Sequence, residues 1–159
     1  MKDDCTIDIS KMTSAQNLKG DSDEDTNLLQ QMSTQAGQFL TSQKWCDTVD
    51  RQYLAYGIGG IVGVFLCYIS SPLKDVDSCL WVIVGDLPPA YIVTEDNPTG
   101  ADALAAYIEE MNEWVEAVRN GTSVEDLIPV NVSPTSKFAE ELRNRLDFLR
   151  TRVLPHMNN

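Results

Sequence analysis

Apolar positions along the chain fall into two periods, and the change between them marks the elements. Leu28, Met32, Ala36, Phe39 and Leu40 are spaced four, four, three and one apart, a single helical stripe. Ser22 precedes it as a natural N-cap with Asp23, Glu24 and Asp25 in the first turn, so a helix is predicted over 23–42. The runs 61–70, 79–84 and 90–94 are apolar without interruption and rich in β-branched and aromatic residues. They predict strands covered on both faces. Leu104, Tyr107, Ile108, Met111, Trp114, Val115 and Val118 return to helical spacing, opposite Glu109, Glu110, Glu113 and Glu116. Thr99 with Asp102 caps the start of that helix, and Asn120 with Gly121 ends it. A last helix is expected from about Ser133 and Pro134, with Phe138, Leu142, Leu146, Leu149 and Val153 as its buried stripe. Leu154 and Pro155 should stop it. Residues 1–21 are read as a loose segment before a single domain over 22–155, and 45–58 is left without a firm assignment.

The stretch LWVIVGDLPPAYIVTED sets the topology. Gly85 can take positive φ, Pro88 pushes Leu87 extended, and Pro89 cannot donate to a ladder, so 85–89 reads as a turn between strands. Links this short join antiparallel neighbours, because a parallel crossover needs a dozen or more residues. The expected fold is α+β: a three- to four-stranded antiparallel meander, an N-terminal helix, and two C-terminal helices packed on one face.

Residues 52–73 carry no formal charge and are long enough to cross a bilayer, so a membrane-associated protein is one alternative. Four glycines in seven residues and the absence of flanking basic clusters favour a strand instead. The same glycines, GIGGIVG, lack the following helix start and the lysine of a phosphate loop; they read as a turn.

Charge narrows the function classes. The chain has 24 acids against 12 bases, a net −12. Between Cys46 and Asp126 there are 14 acids and three bases, which excludes the basic footprint of a nucleic-acid binder. Residues 137–152, by contrast, carry five bases against three acids. Such a chain suits solubility or a basic protein partner, and a solvated acidic surface is the plainer reading. Cys5, Cys46, Cys67 and Cys79 form no paired motif, and Cys67 and Cys79 read as small buried hydrophobes. His156 is the only histidine and lies in the tail, so neither a metal site nor a histidine-activated nucleophile is expected. No cofactor motif is present. MKDDCTIDIS has no apolar core of a secretory signal, which makes the cytoplasm the expected compartment.

The 80–118 stretch, continued by SVEDLIPVNV and LDFLRTRVLP, resembles a family of small bacterial proteins that share a Gly-Asp-Leu-Pro turn and a helix ending in Trp-Val. The likeness covers about Trp45 to Pro155. It implies a bacterial protein and brings no activity or catalytic residue. Two functions are weighed. One is a non-enzymatic, immunity-like binding module contacting a basic protein through Asp75, Asp77, Asp86, Glu95 and Asp96 around Trp81 and Tyr91. The alternative is a small enzyme or ligand-binding protein whose hairpin brings Asp86 together with Glu95 or Asp96. In a meander, Asp75 and Asp77 should share one sheet end with Glu95 and Asp96, leaving Asp86 at the other.

Overall fold

A computed structural model describes residues 5–73 and 75–157. Residues 1–4 of the expected loose segment and Lys74 of the polar link lie outside the described residues. Among those described, β1 (Thr13–Ser14), β2 (Thr48–Ile58), β3 (Val62–Ser70), β4 (Cys79–Gly85) and β5 (Ala90–Val93) form one sheet in sequence order. Every pairing is antiparallel, as short links require. The sheet has five strands, where three to four were expected. The additions are the two-residue β1 and the long β2, which lay within the unassigned 45–58.

The uninterrupted apolar runs are explained by cover on both faces. Alternate residues of β3 and β4 (Val64, Leu66, Trp81, Ile83) pack under α2 (Gly100–Asn120) and α3 (Ser136–Phe148). The intervening Phe65, Cys67, Leu80 and Val82 pack under α1 (Asp23–Thr41) through Leu29, Met32, Ala36 and Leu40. The uncharged 52–73 segment is therefore a hairpin turning at 59–61 rather than a helix. Among the described residues no helix is long and apolar enough to cross a membrane.

The caps follow the sequence. Ser22 accepts from the Asp25 amide, Thr99 accepts from that of Asp102, and Gly121 closes α2 at φ 70°. The end of the chain departs from expectation. Thr135, not Ser133, caps α3, and Pro155 does not stop the helix. Residues Leu149–Val153 open into a π-turn and α4 (Leu154–Met157) continues past the proline. Pro155 has no N–H, and its ring would crowd the carbonyl four residues back; the widened turn accommodates both.

The N-terminal segment also needs correcting. Cys5 is bonded to Cys79, so Cys79 is not a free thiol. Ile7 is buried on the α2 face and Leu18 on the α1 face, with β1 paired to the edge of β2 between them. Residues 5–18 thus wrap the sheet edge as a strap, where a loose segment was expected.

Candidate functional site at the hairpin tips

The β4–β5 turn, read from its glycine and prolines, is held from three sides. Gly85 adopts φ 137°, and its α-carbon lies so close to the β2–β3 turn that a β-carbon would sit 2.3 Å from the Ile61 carbonyl oxygen. The Asp86 amide donates to that oxygen at 3.0 Å, tying the two tips together. The Tyr107 hydroxyl donates to the Pro88 carbonyl at 2.6 Å; burial pushes its pKa up, so the phenol keeps its proton. From α3 the Arg145 guanidinium forks onto Asp86, Nε to Oδ2 at 3.2 Å and Nη2 to Oδ1 at 3.4 Å. Both partners are exposed, so this pair contributes little stability, about 0.2–1 kcal/mol, and chiefly fixes geometry.

Two adjoining clefts open beside this ion pair. One, of about 440 Å³, is walled by Ile61, Leu87, Phe148 and Leu149 with Asn144. The other, of about 350 Å³, lies between Pro88, Pro89, Val132, Phe138 and Leu142. Asp86, Glu141 and Arg145 border both. Ile61, Val132 and Phe148 are 39%, 42% and 43% exposed, so this end of the molecule presents large apolar side chains to solvent around a charged centre.

The residues expected from sequence divide as follows. The β3–β4 and β4–β5 registers, Tyr68 opposite Cys79 and Leu80 opposite Val93, put the links carrying Asp75 and Asp77 and carrying Glu95 and Asp96 at one sheet end. Asp86 lies at the other, so the hairpin does not bring it to Glu95 or Asp96. Asp96 sits at φ 67° in the turn after β5. Trp81 is fully buried and its indole N–H donates to the Asn97 carbonyl at 2.8 Å, so it anchors the loop before α2 and offers no surface to a partner. Tyr91 is half-buried on the α1 face, 5.0 Å edge-on from Trp45. Leu73 and Val93, both exposed, accompany the four acids at their end.

Ile61, Glu141, Arg145 and Phe148 were missed. A signal existed for two of them. Phe148 is an aromatic residue just off the buried stripe of its helix, and Ile61 is a β-branched residue in a glycine turn.

The remaining chemistry is sparse. Cys46 and Cys67 are free but buried, and burial pushes both thiols up, away from the reactive thiolate. Among the described residues no three His, Cys, Asp or Glu side chains are grouped to hold a metal ion. No family model, curated protein or solved structure matches the chain.

Proposed function

We propose that the protein is a non-enzymatic binding module, bacterial and immunity-like, that docks a basic protein segment carrying an apolar anchor into the hairpin-tip clefts. The observation that carries this reading is the coincidence of exposed Ile61 and Phe148 with a cleft bordered by the Asp86–Arg145 pair. A net charge of −12 draws a basic partner from a distance, and Glu141 at the border of both clefts supplies a local carboxylate for a lysine or arginine. Binding energy would be concentrated where an apolar side chain is desolvated, which the acids alone do not provide.

The alternative, a small enzyme or ligand-binding protein using hairpin carboxylates, draws no support from the separation of Asp86 from Glu95 and Asp96. A second docking position, at the four-acid end beside Leu73 and Val93, has apolar groups of its own and is an outcome of the same test. Amide and methyl resonances of the full chain are followed during titration with a lysine-rich peptide bearing one central tryptophan. Shifts at Ile61, Leu87 and Phe148, weakened about tenfold or more when alanine replaces the tryptophan, are expected. Shifts confined to Leu73, Asp75, Asp77, Val93, Glu95 and Asp96 would move the site, and none at all would overturn the reading.

A further inference from the structure

The strap that wraps the sheet is fastened at its start by the one covalent cross-link, Cys5 to Cys79, between residues 74 apart in sequence. Cys79 is buried and opens β4 directly opposite Tyr68 of β3. Eight residues later Thr13 pairs with Leu54 at the outer edge of β2. Between those points the strap must cross β3 and β2 on the α2 face.

What holds residues 5–12 apart from the disulfide is slight. Ile7, 9% exposed, is the one buried residue among them, with Cys5, Ile9 and Met12 partly buried around it. The hydrogen bonds within this stretch, Met12 to Ile9 and Ser10 to Asp8, are local to the strap and do not tie it to the sheet. One buried isoleucine is set against the conformational entropy of the whole stretch. The β3 and β4 strands beneath are secured independently by cover on both faces.

We propose that the Cys5–Cys79 bond is a redox latch: its reduction releases the strap over residues 5–12 from the α2-face core on which Ile7 packs, while the sheet stays folded. The reductant is a dithiol. One of its thiolates attacks the sulfur of Cys5, the more exposed of the two residues, breaking the Cys5–Cys79 bond and expelling Cys79 as a thiolate that takes a proton. The second reductant thiol then displaces Cys5 from the mixed disulfide. Two electrons pass to the protein, which leaves with two thiols, and the reductant leaves as a disulfide.

The full chain is compared before and after treatment with dithiothreitol, by amide hydrogen exchange and by tryptic cleavage after Lys11. The latch requires cleavage after Lys11 to accelerate at least tenfold and exchange over 6–12 to rise, with β3 and β4 amides still protected. Reoxidation should reverse both changes, and the Cys5→Ser variant should behave as the reduced protein without any reductant. A strap that stays protected after reduction would overturn the proposal. Loss of protection in β3 and β4 together with the strap would also overturn it, making the bond a staple of the whole fold.

Discussion

Replacing Gly85 with alanine isolates the contact that builds the hairpin-tip site. The new β-carbon would meet backbone on every side: the Ile61 carbonyl oxygen at 2.3 Å, its carbon at 2.8 Å and the Val62 α-carbon at 2.9 Å. Backbone atoms of a paired turn cannot swing away as a flexible side chain would, so the tips must part. Holding alanine at φ 137° costs about 1–3 kcal/mol. Parting the tips loses the Asp86–Ile61 hydrogen bond, about 0.5–1.5 kcal/mol, and a stiffer unfolded chain offsets about 0.4–1 kcal/mol. The expected net loss is about 0.5–4 kcal/mol, centred a little above 2 kcal/mol. Gly121→Ala is the matched control: φ is 70° but nothing lies within 4 Å of the new atom, so the loss should be about 1 kcal/mol or less. Urea denaturation of both variants, with slopes unchanged from the parent, gives the comparison. If Gly85→Ala costs no more than Gly121→Ala, the close approach does not constrain the turn.

Other substitutions probe different parts of the account. Leu146 of α3 is 1% exposed in the core cluster that α3 shares with α2 and the sheet, and Leu146→Ala should cost about 2–5 kcal/mol in the same assay; a much smaller loss would make α3 peripheral. Glu110 is exposed, but partial desolvation first and then Glu113 and Glu109 raise its pKa, so the folded state slightly disfavours its charged form. Its destabilising effect is fully present above the folded-state pKa and disappears below the ordinary carboxylate value, where both states are protonated. Glu110→Gln should therefore raise the melting temperature at neutral pH and leave it unchanged in acid. Arg145→Met should change stability by less than about 1 kcal/mol, because the pair with Asp86 is exposed, while loosening the tip as read by exchange of the Asp86 amide.

The helices were legible because their stripes are long and their caps conform: Ser22, Thr99 and Gly121 mark ends that the structure reproduces. The meander was legible from the Gly-Asp-Leu-Pro-Pro turn and from links too short for a crossover. β2 was not, and its register shows why. Bulges between Val49 and Arg51 and between Leu54 and Tyr56 leave Asp50 and Ala55 outside the pairing, so the alternation expected of a strand breaks twice. The strap carried a clear period-two signal, with Cys5, Ile7 and Ile9 turned inward and Thr6, Asp8 and Ser10 outward, too short to register beside a polar terminus. The candidate site was half legible. Asp86 stood out at a turn tip, but its partner Arg145 is 59 residues away, a pairing that no local pattern encodes.

The clefts at the hairpin tips are tested most directly by photo-crosslinking in the cells that make the protein. A photoreactive amino acid is placed in turn at positions 61, 148, 75 and 96 of the full chain. Adducts from 61 and 148 to a common protein rich in lysine and arginine are expected, reduced when Glu141 is changed to lysine. Adducts formed only from 75 and 96, or equally from all four positions, would contradict that expectation.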